Sequence, residues 1–181
     1  DEVNRRGVAR TFQNIRLFKD LTVEENVLIG LHNSMNYSVA SSMLRLPKYW
    51  KQEKEARERV RELLHIFHME NMTAQQAGSL PYGAQRRLEI VRSLATNPGI
   101  LLLDEPAAGM NPSETAELME TIRKIRDEFH IAIMLIEHDM KLVMGICEGI
   151  AVLNYGRIIA KGTPDEIRNN PVVIELSLIH I

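Results

Sequence analysis

An α/β fold built on a parallel sheet, with further helices ahead of it, is what this sequence predicts. Two short apolar runs, Ile100–Leu103 and Ile131–Ile136, each stop abruptly at an acidic residue. Runs of that length suit strands buried on both faces of a parallel sheet. The segment between them has helical periodicity, so the order is strand, helix, strand, with a right-handed crossover expected. Upstream, Val60, Leu63, Leu64 and Phe67 recur at i, i+3, i+4 and i+7 within a highly charged stretch, which predicts a long amphipathic helix.

Each element has a local reason. Thr22 and Glu25 have the spacing of a capping box, and Val27, Leu28 and Leu31 follow at helical intervals, so a helix is expected to begin near Val23. From Asn33 to Lys48 the composition turns to Ser, Asn and Met with Pro47, which reads as a surface excursion before a helix from about Trp50 to Met69. His65 and His68 are three residues apart, but no thiol or carboxylate cluster accompanies them, so ordinary surface histidines are expected. Asn111, Pro112 and Glu114 supply an N-cap, a Pro at the first helical position and a Glu at the third. Leu118, Ile122, Ile125 and Phe129 then mark the buried stripe. A further helix follows His138. Ile150–Leu153 and Arg157–Ala160 flank a turn with Asn154 and Gly156, the pattern of an antiparallel hairpin. Thr163, Pro164 and Glu166 cap a last short helix. Leu176–Ile181 is apolar and offers no cap or usable periodicity, so an atypical tail is expected over 171–181.

Composition narrows the functional classes. The 181 residues are 45% hydrophobic and 25% charged, as in a globular protein. With 22 basic and 24 acidic side chains the net charge is -2, so no broad positive field favours nucleic acid. Cys147 is the single cysteine, which excludes an internal disulfide and fits a reducing compartment. No apolar run reaches the roughly 20 residues a membrane-spanning helix needs.

The chemistry gathers in five places. Asp104 and Glu105 stand at the carboxyl end of an apolar strand, where open α/β sheets bind ligands. Shortly before that strand, Leu80-Pro81-Tyr82-Gly83-Ala84-Gln85-Arg86-Arg87 opens a helix carrying Leu88, Val91 and Leu94. Gly83 permits close backbone approach, and a helix N-terminus offers free N–H groups and a positive dipole end to an anion. This stretch resembles the ABC signature motif, Leu-Ser-Gly-Gly-Gln, and Ile100–Asp104 with Glu105 resembles a Walker B strand with its catalytic carboxylate. Gln13 in Thr11-Phe12-Gln13-Asn14 resembles a Q-loop, Asn111 in Ala108-Gly109-Met110-Asn111 a D-loop, and His138 a switch histidine. The five stand in the family's order, and the resemblance runs from about Val8 to Pro171. Pro81 replaces the usual Ser, and Asn111 the usual Asp. The Leu-Pro-Tyr-Gly form, the string Thr11–Phe18 and Asp104–Pro112 together are similar to the longer ATPase subunit of branched-chain amino-acid importers.

That resemblance implies a P-loop NTPase-like ABC ATPase fold, with residues of about 14–97 as the helical subdomain and about 98–170 as part of the core. It implies ATP and Mg2+ as ligands. Glu105 would be the general base, Asp104 would hold Mg2+ through water, and Gln13 would bind Mg2+ and report the γ-phosphate. His138 would bridge the γ-phosphate and the attacking water. Tyr82, Gly83, Ala84 and Gln85, with Asn111, would face ATP bound across a dimer. The implied partners are a second ABC ATPase subunit, a transmembrane permease and, indirectly, a solute-binding protein, at the cytoplasmic face of the plasma membrane. Other ABC systems, such as lipopolysaccharide export, remain as alternatives, as does a chain that binds partners without catalysis. No Gly-x-x-x-x-Gly-Lys-[Ser/Thr] phosphate loop occurs in these residues. The family places that loop before the Q-loop, so it is expected upstream of Asp1, and the 181 residues alone are expected not to bind Mg-ATP at micromolar concentration.

Overall fold

A computed structural model describes residues 2–31 and 47–179. The chain divides into two compact units, Asp1–Ile136 and Glu137–Ile181. The predicted excursion from Asn33 lies outside the described residues up to position 46.

In the first unit, a short helix α1 (Glu2–Arg5) leads into β1 (Val8–Arg10). Helix α2 (Val23–Leu31) follows, then α3 (Pro47–Ile66), two 3-10 turns, α4 (Tyr82–Leu94), β2 (Ile100–Asp104), α5 (Pro112–Phe129) and β3 (Ala132–Ile136). The sheet order is β1-β2-β3, all parallel, with Ala9 opposite Leu101 and Leu102 opposite Met134. Three-residue β1 is too short for periodicity to reveal; its pairing with β2 defines it.

Local signals behave as their chemistry dictates. The backbone N–H of Thr22 donates to Glu25 Oε2 (2.8 Å), and Glu25 N–H donates to Thr22 Oγ1 (3.2 Å), closing the capping box of α2. The stripe of α3 is buried, with Val60, Leu63 and Leu64 at 0% exposure. This helix ends at Ile66, short of the expected Met69, because His68 takes a left-handed conformation (φ 54°) and Met69 N–H returns to Leu64 O (2.9 Å). A left-handed residue followed by such a back-bond is how many helices satisfy their last carbonyls.

Helices α2 and α4 pack closely, and Gly30 makes that possible. A Cβ built there would fall inside contact distance of Arg92 O and 2.9 Å from the Ala95 methyl. Gly30→Ala is therefore expected to push α2 off α4 and lower stability by about 1–3 kcal/mol, as overpacking does, read from the urea midpoint.

One strand expectation is corrected. β2 does bury Leu101 and Leu103, but β3 is not covered on both faces: Met134 and Ile136 are 59% and 52% exposed. Among the described residues β3 has one strand neighbour, β2, and its alternate side chains point away from the packed side.

The second unit holds α6 (Met140–Ile146), β4 (Ile150–Asn154), β5 (Arg157–Gly162), α7 (Pro164–Arg168) and α8 (Pro171–Ile179). The β4-β5 hairpin is antiparallel around Tyr155 and Gly156, both with positive φ (45° and 76°), the backbone a two-residue hairpin turn requires. Thr163 and Glu166 form the predicted capping box. The hydrogen bonds from Thr163 hold the Glu166 carboxyl below its ordinary range. The closing stretch is more regular than its sequence predicts. Asn170 Oδ1 accepts from Val172 N–H (3.0 Å), and helix α8 continues to Ile179.

Candidate functional site

The carboxyl end of β2 carries the acidic pair. Thr11 Oγ1 accepts from Asp104 N–H (3.3 Å), fixing the strand end against the residue that follows β1. Asp104 Oδ2 pairs with Arg10 Nη2 at 3.0 Å. Glu105 leaves the strand in a left-handed conformation (φ 44°), uncommon for a residue with a Cβ, while its N–H donates to Ile136 O (2.9 Å). That backbone turn aims its carboxylate back toward Gln13, whose Nε2 donates to Glu105 Oε2 at 3.2 Å. Two residues 92 positions apart in sequence thus meet at one strand end.

Residues 11–21, which contain Gln13, have no regular structure and are held from both helices beside them. Buried Asn26 of α2 accepts from Phe18 N–H (3.0 Å) and donates to Phe18 O (3.0 Å). Glu89 Oε1 of α4 accepts from Arg16 N–H (3.2 Å), and the Arg92 guanidinium lies 5.6 Å from the centre of the Phe18 ring. The deepest tie is Arg86, a fully buried arginine. Its Nη1 donates to Phe12 O (2.5 Å) and Glu89 Oε2 (2.9 Å), and its Nη2 donates to Asp104 O (2.5 Å) and Glu105 O (2.7 Å). All of these contacts lie within the first unit.

Sequence pattern does not single out Arg10, Arg86 or Glu89. A signal for the last two exists: opposite charges at i and i+3 on the helix face that also carries Gly83 and Ile90.

The start of α4 meets the start of α5. Tyr82 is half exposed, and its ring lies against Gly109 (φ 77°), where a Cβ would come within 3.0 Å of Tyr82 Cε1. A Cβ on Gly83 would sit 2.6 Å from Glu114 Oε1. In this structure the close approach that Gly83 permits is thus to a carboxylate of the same chain. Counted from Leu80, the fifth place of the signature motif falls on Ala84, which is buried, and not on Gln85. Gln85 turns back to donate from Nε2 to Leu80 O (2.8 Å), bracing the loop. Asn111 caps α5: its Oδ1 accepts from Glu114 N–H (3.0 Å), and its own N–H donates to Glu114 Oε2 (2.9 Å).

His138 belongs to the second unit. Its side chain is 78% exposed, with Nδ1 3.8 Å from Glu137 Oε2, and that oxygen also accepts from the His138 backbone N–H (3.0 Å). Asp139 then caps α6, accepting from Lys141 N–H (2.8 Å) and Leu142 N–H (3.2 Å). Burial pushes the Cys147 thiol up, away from thiolate chemistry at neutral pH. His65 Nδ1 lies 3.7 Å from Glu70, and among the described residues no group of three or more His, Cys, Asp or Glu is placed to hold a metal.

The model of the ABC transporter family matches residues 1–108, more than half of the chain, and takes in Gln13, the start of α4 and the acidic strand end together. This chain is an ABC transporter family member. A second model, of branched-chain amino acid ATP-binding cassette transporters, matches residues 157–175 of this ABC protein, the span of β5, α7 and the start of α8. The high-affinity branched-chain amino acid transport ATP-binding protein BraF of Pseudomonas aeruginosa is 46% identical over 177 residues, covering 98% of this chain and 69% of that relative. LivG of Escherichia coli K12, with the same printed function, is 48% identical over the same coverage. The sulfate/thiosulfate import ATP-binding protein CysA of Bacillus cereus is more distant, at 35% identity over 93% of this chain and 44% of its own length. In three dimensions the ADP conformation of MJ1267, an ATP-binding cassette of an ABC transporter, aligns with a TM-score of 0.77 at 28% identity, over 98% of this chain and 70% of that one. The ABC ATPase fold, mixed α/β with a parallel sheet, is thereby established for this chain. Among the described residues no helix is long and apolar enough to cross a membrane.

Proposed function

We propose that this chain belongs to the ATP-hydrolysing subunit of an importer of branched-chain amino acids. The observation that carries the solute class is the match at residues 157–175 to the model specific to those transporters. The higher identity to BraF and LivG than to a sulfate importer supports it. The subunit would work with a second ABC ATPase subunit and a transmembrane permease at the cytoplasmic face of the membrane, served by a solute-binding protein. Residues of about 14–97 would form a helical subdomain, whose segment from Gln13 to Leu80 would carry motion to the permease.

The residue roles follow from chemistry at the strand end. In phosphoryl transfer the protein mainly positions groups and neutralises charge on oxygen. Glu105 would act as general base, a reading supported by the Gln13 amide that orients its carboxylate and by the turn of its backbone out of β2. Asp104 would hold Mg2+ through water: Arg10 pairs with Oδ2, and Oδ1 has no share in that pair. The amide oxygen of Gln13 is a second hard donor, since Nε2 makes the bond to Glu105. One carboxylate and one amide oxygen fit a cation that keeps water and phosphate oxygens in its shell. Bound there, Mg2+ would supply neutralisation of phosphate charge. Tyr82, Gly83, Ala84 and Gln85 at the N-terminus of α4, with Asn111, would face nucleotide held by a partner subunit. Gln85 keeps that loop in shape. His138, exposed beside Glu137, would bridge the γ-phosphate and the attacking water.

Uptake by vesicles carrying the complete subunit, its paired ATPase and the permease tests the solute class. With the binding protein present, ATP-dependent accumulation of leucine, isoleucine or valine is expected, and none of sulfate. Sulfate uptake without leucine uptake would reject the reading.

A further inference from the structure

The geometry points to Arg86 as a positioning residue that fixes Gln13 and Glu105 relative to each other, a role that rests on the hydrolytic reading of this site. Three sets of contacts meet on one guanidinium. Its Nη1 binds the carbonyl of Phe12, the residue immediately before Gln13 (2.5 Å). Its Nη2 binds the carbonyls of Asp104 and Glu105 (2.5 and 2.7 Å). Its charge is balanced within the same buried space by Glu89, whose other oxygen holds Arg16 N–H. Arg86 and Glu89 are 0% and 1% exposed, so water does not compete for these bonds.

A single rigid fork thus joins α4, the segment bearing Gln13, and the end of β2. Only arginine presents several N–H donors in a fixed plane. Lysine has one nitrogen, which cannot reach two separate backbone segments in the same geometry. The Glu105 carbonyl is one of the atoms held, and Glu105 is in the left-handed region (φ 44°). Backbone in that region persists only where its surroundings over-determine it, and Arg86 supplies that constraint from one side as Ile136 O does from the other. The consequence is functional. The 3.2 Å bond between the Gln13 amide and the Glu105 carboxylate joins two side chains whose backbones share one anchor. Since Arg86 lies four residues after Tyr82 on the same helix, a shift of the α4 N-terminus moves both groups together.

The test uses the complete subunit with Arg86→Lys, and with Leu94→Ala as a control that opens the core of the same helix without touching the fork. Hydrogen exchange is measured first, because it does not depend on ATP chemistry. Exchange at residues 13–16 and 105–107 is expected to speed up together in Arg86→Lys and not in Leu94→Ala. Steady-state hydrolysis by the assembled transporter is expected to fall at least about tenfold in Arg86→Lys with Mg-ATP affinity kept within about threefold, the split expected of misplaced reacting groups. Adding Gln13→Ala to Arg86→Lys is expected to cost little further, since both act on one contact. Should Arg86→Lys fail to fold, Glu89→Gln, of the same shape, is read in the same two assays with a smaller loss expected. Exchange confined to one segment, or hydrolysis equal to that of the Leu94→Ala control, overturns the positioning role. A wild-type transporter that hydrolyses no ATP rejects the hydrolytic reading instead, and the exchange result alone then decides whether Arg86 couples the two segments.

Discussion

Glu105→Gln in the complete subunit is expected to slow ATP hydrolysis by about 10²-fold or more while leaving Mg-ATP binding and nucleotide-driven dimerisation in place. The reason is that glutamine keeps the size and shape of residue 105 and one acceptor oxygen but loses the negative charge and the basicity. The backbone anchors at residue 105, to Ile136 O and from Arg86 Nη2, do not involve the side chain. A glutamine carbonyl still accepts from Gln13 Nε2 as the carboxylate does now. What is lost is the capacity to take a proton from the attacking water, a contribution of roughly 10²–10⁴ in rate. Phosphate release under saturating Mg-ATP, beside a binding titration, reads the two effects separately. Turnover near that of the wild type would remove Glu105 from the role of base.

Phe67→Ala is expected to destabilise the first unit by about 3–5 kcal/mol, the usual cost of emptying a buried aromatic site. Phe67 is 1% exposed and stands one residue past the end of α3, immediately before left-handed His68 and fully buried Met69. The loss therefore combines a cavity with the loosening of the turn that ends the helix. A loss of that size is a large fraction of the 5–15 kcal/mol that typically holds a domain together. Urea unfolding followed by circular dichroism measures it. A midpoint shift equivalent to less than about 1 kcal/mol would mean that the site collapses around the smaller side chain.

Much of the site was legible because its signals are local. Asp104 and Glu105 follow a continuous apolar run, and Asn111 is marked by Pro112 and Glu114 as the start of a helix. Gln13 was legible only through the resemblance of the string around it; nothing in its own neighbourhood predicts a meeting with Glu105. Arg86 and Glu89 were not legible, because a charged pair on a helix reads as solvated surface until the acceptors that bury it are known. Those acceptors are backbone carbonyls at residues 12, 104 and 105, and no side-chain pattern announces a carbonyl.

By itself the sequence determined the elements whose causes lie within a few residues: the capping boxes at Thr22 and Thr163, the stripes of α3 and α5, the hairpin at Tyr155 and Gly156, and the order of motifs that places the chain in its family. Tertiary structure decided the rest. It ended α3 at Ile66 by turning His68 left-handed, and it left Met134 and Ile136 exposed on a run whose composition predicts burial on both faces. It made strand β1 out of three residues, directed Gly83 toward Glu114, and brought Gln13 to Glu105. The division has one physical cause. Caps and helical stripes depend on neighbours three or four positions away, so they are written in sequence spacing. Sheet pairing, burial of charge and side-chain meetings here join groups 18 to 94 positions apart, and only the folded backbone sets their distance.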